Sequence, residues 1–121
     1  IYQCLSAELQ AGQTTYSVVV GENTPFGGGE GKSLADFGMH LMLVVERKQP
    51  VCWMDPTSEL TESAAFEGIN LREGDADGMG SFHPGGINVG FRDSNVRFIS
   101  ETIDLSLLRG LLDGTTEEYR Y

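Results

Sequence analysis

Residues 87–100, INVGFRDSNVRFIS, set two short runs of β-branched and aromatic residues on either side of a polar tetrad, Arg92-Asp93-Ser94-Asn95. Alternation of apolar and polar side chains marks a strand with one buried face, and two such runs around Asp-Ser predict a β-hairpin. A two-residue turn at Asp93-Ser94 sets Phe91 opposite Val96 and Val89 opposite Phe98. Ile87, Val89, Phe91, Val96 and Phe98 then share one apolar face. The solvated face takes Asn88, Arg92, Asn95 and Arg97, with Ile99 as the exception to the pattern.

The remaining elements follow from composition and breakers. Residues 14–20, TTYSVVV, predict a strand that ends at Gly21, and residues 39–46, MHLMLVVE, predict a buried strand. Gln49-Pro50 is expected to break the chain before one more short strand, Val51–Met54, and a turn at Asp55-Pro56. Residues 57–67 suit a short helix, and the glycine-rich stretch 73–86 suits a long loop. Asp104 can cap a final helix running to about Leu112, because Leu105, Leu108, Leu111 and Leu112 fall on one side and Gly114 is a natural stop. Its leucines are expected to cover the sheet. The fold class is therefore α+β, in a single domain over residues 1–121.

Charge narrows the partners. Eight Lys and Arg against 18 Asp and Glu give a net charge of -10, which repels phosphate backbones and anionic lipid surfaces, so nucleic acid is excluded as a partner. A calcium ion, a basic partner or plain solubility fits such acidity. No apolar run approaches the roughly 20 residues that cross a bilayer. Cys4 and Cys52 form no CxxC pair, which leaves one disulfide or two unpaired buried thiols. The chain begins at Ile1 without a Met or a signal-like segment, as expected of a processed product with more chain upstream.

The stretch 24–33, TPFGGGEGKS, ends like a phosphate-binding loop, but Phe26 stands where that loop requires its first glycine. The apolar run that follows is a strand, whereas a phosphate cradle opens onto a capped helix. A glycine-rich turn is the better account.

Three constellations could carry chemistry. Glu73, Asp75, Asp77 and Gly78 reproduce the opening of a calcium loop, while the position of its closing bidentate Glu falls on Pro84. Calcium is the one cofactor this pattern admits, against an acidic turn. His83 could serve as a general base oriented by Asp93 or Asp77, but no nucleophile-elbow pattern accompanies it. Ahead of Pro84-Gly85-Gly86, its expected role is to pin the turn by bonding to backbone. Trp53 and Phe66 could line a sugar or peptide groove, or could simply be core. His40 reads as a residue of the buried strand rather than a metal ligand.

From His83-Pro84-Gly85-Gly86-Ile87-Asn88-Val89, through Phe91, Asp93 and Val96-Arg97-Phe98, to Ser100–Asp104, the C-terminal half resembles the signature of the bacterial domain-of-unknown-function family DUF1559. That family follows prepilin-type N-terminal helices and is marked by His, nine intervening residues and Asp-Gly. His83 and Asp93 keep the spacing, and Ser94 replaces the Gly. Cys4 and Ser6 resemble the family's Cys-Pro-Ser, Tyr16 to Gly21 its Tyr-x-x-x-x-Gly strand, Glu46 the end of its buried strand, and Trp53 with Pro56 its Trp-x-x-Pro turn. The family's Asp-Gly-Thr-Ser-Asn-Thr run is replaced by Asp36-Phe37-Gly38-Met39-His40-Leu41.

The resemblance implies a pilin-like or pseudopilin-like head, a twisted antiparallel sheet with a C-terminal helix, whose anchoring N-terminal helix is absent from this sequence. His83, Gly85, Gly86, Asn88, Asp93 and Arg97 would be structural signature residues, with no catalytic group among them. The implied role is non-enzymatic, in an envelope assembly on the periplasmic or extracellular side. Its partners would be other pilin-like subunits or secreted proteins, and it would meet the membrane only through the missing helix. A secreted calcium- or carbohydrate-binding module is the alternative.

Overall fold

A computed structural model describes residues 9–27, 32–55, 59–70 and 78–115. Among the described residues, six strands and two α-helices follow one another as β1 (Gln13–Ser17), β2 (Val19–Val20), β3 (Met42–Cys52), β4 (Leu60–Thr61), α1 (Glu62–Phe66), β5 (Gly86–Phe91), β6 (Val96–Ser100) and α2 (Leu105–Asp113). The order β1-β3-β5-β6 makes a four-stranded sheet in which every neighbouring pair is antiparallel, and β2 pairs with β4 in a small parallel sheet. The architecture is α+β, as expected. Among the described residues no helix is long and apolar enough to cross a membrane.

One face of the main sheet carries the core. Val45, Ile87, Val89, Phe91 and Ile99 pack with Leu108, Leu111 and Leu112 of α2 and with Leu60, Ala65 and Ile69 around α1. The closing helix forms where the leucine spacing predicts it. Asp104 caps its start, the carboxylate accepting from the Ser106 and Leu107 amides at 2.9 and 3.2 Å. Gly114 ends it in the left-handed conformation at φ 76°, where a Cβ would press into the Phe37 side chain.

The hairpin forms one residue out of the expected register. The Phe91 carbonyl accepts from the Ser94 amide at 3.0 Å, and the Phe91 amide donates to the Asn95 carbonyl at 2.9 Å. Arg92, Asp93 and Ser94 therefore make a three-residue loop rather than a two-residue turn, with Ser94 in the left-handed region at φ 71°. Asp93 stabilises it by accepting from the Asn95 amide at 3.0 Å. The extra residue pairs Gly90 with Val96, Asn88 with Phe98 and Ile87 with Ile99. Such a slip reverses the faces of a strand. Ile99, the apparent exception, is thus the core residue at 1% exposure, while Val96 and Phe98 stand 66% and 51% exposed on the opposite face.

Three further expectations are corrected. The run 14–20 divides at Val18, β1 joining the main sheet and β2 the small one. Pro50 does not break β3, because the register jumps between Tyr16↔Glu46 and Thr14↔Val51 and leaves that stretch of β3 bulged. Segment 78–80 meets the bulge from the other side, where the Lys48 amide donates to the Gly78 carbonyl and Arg47 bridges to Met79. A missing amide at Pro50 therefore leaves the ladder intact. The short helix is also shorter than 57–67, beginning only after its cap Thr61, whose hydroxyl accepts from the Ala64 amide at 3.3 Å.

The two registers predict opposite stabilities. Ile99→Ala should cost about 2–4 kcal/mol, as truncations of a buried aliphatic side chain do, whereas Val96→Ala should stay within about 0.5 kcal/mol. Urea unfolding of both variants measures this, and a reversed order would restore the two-residue turn.

Candidate functional site

The sheet face opposite the core holds a buried charge. Glu46 lies on β3, and it is only 1% exposed. Its carboxylate cannot remain there without donors. Three contacts supply them: the Asn88 amide donates to Oε2 at 2.7 Å, and His83 Nε2 lies 3.0 Å from Oε1 and 2.9 Å from Oε2. Since a carboxylate only accepts, Nε2 is the donor in both contacts.

The second ring nitrogen is held as well. Ser81 Oγ lies 3.1 Å from His83 Nδ1 and within 2.8 and 2.7 Å of the His83 and Gly86 carbonyls. The hydroxyl donates to the two carbonyls, and its position ties segment 81–86 into a closed turn. Around it, the Ser81 amide donates to Asn70 Oδ1 at 3.0 Å and Lys48 Nζ donates to the Ser81 carbonyl at 3.0 Å. The same ammonium sits 4.6 Å from the centre of the Phe82 ring. The His83 ring packs against Phe98 with centroids 5.9 Å apart.

Gly86 is required by space. A Cβ there would collide with the Ile99 carbonyl across the hairpin, so β5 can begin beside β6 only with glycine. Gly85, at φ 92°, passes its carbonyl to the Glu101 amide at 2.9 Å. His83 and Asn88 are thus brought onto Glu46, with Gly85 and Gly86 in the segment between them. Asp93 and Arg97 are not: Asp93 belongs to the hairpin loop, and Arg97 donates to the Val96 carbonyl at 3.4 Å.

Asp93 does not orient His83, and Asp77 lies outside the described residues. The carboxylate partner of His83 is Glu46, and the imidazole bonds to two side chains rather than to backbone, so Ser81 performs the pinning expected of the histidine. Ser81 and the pairing with Glu46 were not legible as a site. The available signal was the lone acid at the end of an otherwise apolar strand, which has to find a donor. The calcium candidates Glu73, Asp75 and Asp77 lie outside the described residues.

Residues 28–31 of the phosphate-loop-like stretch lie outside the described residues, and what flanks them is ordinary turn structure. Lys32 Nζ donates to the Glu22 and Thr24 carbonyls at 2.7 and 3.0 Å, and Ser33 caps a single turn of 3-10 helix, Leu34–Asp36, ahead of β3. His40 falls in the turn before β3 rather than within it. Cys52 is free and exposed, neither bridged nor buried, and Cys4 lies outside the described residues. Trp53 and Phe66 line two different cavities, of about 470 and 430 Å³, rather than one groove.

This is an α+β domain whose antiparallel sheet closes over helices on one face and is fastened on the other by a glutamate–histidine clamp. Residues 4–106 match the family DUF1559, described as a protein of unknown function, and the chain belongs to that family. Comparison with curated proteins and with solved structures finds no match.

The clamp predicts strong coupling between distant positions. Removing either Glu46 or His83 leaves a buried polar group without its partner, at about 1–3 kcal/mol. In a double-mutant cycle with Glu46→Gln and His83→Gln, the coupling energy measured by denaturation should reach about 1–3 kcal/mol. Additive losses would show that the two side chains do not act as a unit.

Proposed function

We propose that the chain is the non-enzymatic head of a pilin-like envelope protein, which docks other subunits or secreted partners through the outer face of its sheet. The carrying observation is the asymmetry of that sheet. Helices and core occupy one face, while Val44, Val96 and Phe98 remain exposed on the other. Apolar side chains gathered on a sheet face favour a protein contact. The clamp residues support a scaffold role, because their polar atoms are turned toward one another and toward main chain.

On this reading His83, Gly85, Gly86, Asn88, Asp93 and Arg97 build the sheet that presents this face. Attachment would come from an apolar helix encoded upstream of Ile1 behind a prepilin-type cleavage site. A conventional signal peptide in that position would instead favour a secreted binding module, with calcium at Glu73, Asp75 and Asp77 or a carbohydrate as its ligand.

In the native host, the full-length protein should fractionate with the envelope and cross-link to neighbouring subunits. Val96→Glu should weaken the cross-links while shifting unfolding by no more than about 0.5 kcal/mol, since Val96 is solvated and clear of the clamp. A cytoplasmic location, or unchanged cross-linking, would refute the assembly role.

A further inference from the structure

The hydrogen bonds around His83 assign its protons as well as its position. Nε2 donates to Glu46, 3.0 Å from Oε1 and 2.9 Å from Oε2. On the other side of the ring, the Ser81 hydroxyl directs its one proton to the His83 and Gly86 carbonyls, at 2.8 and 2.7 Å, since a carbonyl can only accept. The 3.1 Å contact between Ser81 Oγ and Nδ1 is then a hydrogen bond only if Nδ1 carries a proton and Oγ accepts it. With both nitrogens donating, the ring is an imidazolium beside a carboxylate that is 1% exposed. Charged side chains approach from the neighbouring elements too. On β3, Lys48 Nζ donates to the Ser81 carbonyl at 3.0 Å, and Arg47 donates to Ser17 Oγ of β1 at 3.4 Å. Behind Ser81, Asn70 accepts from the Ser81 amide and donates to Glu101 Oε2 at 2.9 Å. The Asn88 amide of β5 and the Phe98 ring of β6 complete the surroundings.

We propose that Ser81, His83 and Glu46 form a proton-operated latch, which fastens segment 81–86 over β3 while His83 is an imidazolium and releases it when Nδ1 loses its proton. These are the residue types of a hydrolytic triad, but the proton is offered in the opposite direction, from ring to hydroxyl, so Ser81 Oγ is an acceptor toward the ring rather than a nucleophile activated by it. Glu46 keeps Nε2 protonated. The departing proton therefore leaves Nδ1 for water, which reaches a side chain that is 20% exposed. Two consequences follow at once: the buried carboxylate faces a neutral ring, and the bare Nδ1 faces an oxygen lone pair. The hydroxyl can relieve that repulsion by turning its proton to Nδ1, which takes it away from the Gly86 carbonyl, and a buried carbonyl without a donor is destabilising. The closing bond of the segment is lost. A Cβ at Gly85 or Gly86 would stand 3.7 or 3.1 Å from the Phe98 ring, which also packs on His83, so release reshapes the outer face around Phe98. The latch stands whether or not that face docks a subunit, because it is internal to one chain.

Long-range nitrogen–proton NMR spectra of the intact, nitrogen-15-labelled protein read each imidazole nitrogen separately, over the range of about pH 5 to 8 in which histidine acts as a switch. The chain has two histidines, and His40→Gln identifies the signals of His83. At the acid end both His83 nitrogens should be protonated, and on raising the pH Nδ1 alone should lose its proton. The amides of Ser81 and of Ile87, which shares a peptide group with the Gly86 carbonyl, should shift with the same midpoint. In Ser81→Ala the ring should still titrate, and the accompanying shift at Ile87 should be lost. An Nδ1 without a proton at about pH 5, a proton lost first from Nε2, or a ring that keeps both protons to about pH 8 would each overturn the latch in the unaltered protein. So would an Ile87 amide that is indifferent to the ring, or one that shifts equally in Ser81→Ala.

Discussion

A carboxylate inside a sheet must be surrounded by donors, and Glu46 sets that requirement for this protein. The requirement is met by one side chain and one backbone amide from beyond residue 80, at sequence separations of 37 and 42 residues. Satisfying it fixes three things together. It brings segment 81–86 over β3, it sets where β5 starts beside β3, and through Gly86 it brings β6 close enough for its Ile99 carbonyl to pass where a side chain would stand. Stability and geometry are therefore linked at one point on the outer face, away from the leucine-rich core.

The two faces of the sheet obey different rules. On the inner face, burial is generic: aliphatic residues from β3, β5, β6 and α2 fill the space, and a neighbouring hydrophobe of similar volume would serve. On the outer face it is specific, since a hydroxyl, an imidazole and an amide must each find a particular partner. This division explains how a small acidic chain presents exposed apolar residues without losing its register. The polar clamp holds the strands in place from the same side on which Val44, Val96 and Phe98 meet solvent.

Much of the inner face was legible in the sequence. The buried strand around Val45, the capped leucine helix and its glycine stop all follow from local pattern, which needs no knowledge of distant residues. The hairpin was legible as a hairpin and misread in register, because a type I′ turn needs positive φ at both Asp93 and Ser94 whereas the three-residue loop needs it at Ser94 alone, a difference that residue types do not announce. Pro50 was misread for a related reason. A proline breaks a ladder only where an amide is needed, and the bulge that removes this need is set by pairing with β1 and with segment 78–80. The clamp was out of reach of local pattern altogether: Glu46 looks like the polar end of a strand until the fold supplies His83.

The position of β3 between β1 and β5 has a consequence for how the molecule comes into being. A nascent chain that has emerged only as far as α1 holds the central strand with its acid still hydrated and one flank unmatched. Ladder closure waits for the last third of the polypeptide, and contacts of such long range slow the search for the native state. The hairpin, being local, can organise early and then serve as a template onto which the older segment is drawn. The edge that β3 offers after pairing with β1 is therefore filled only by strands from the end of the chain.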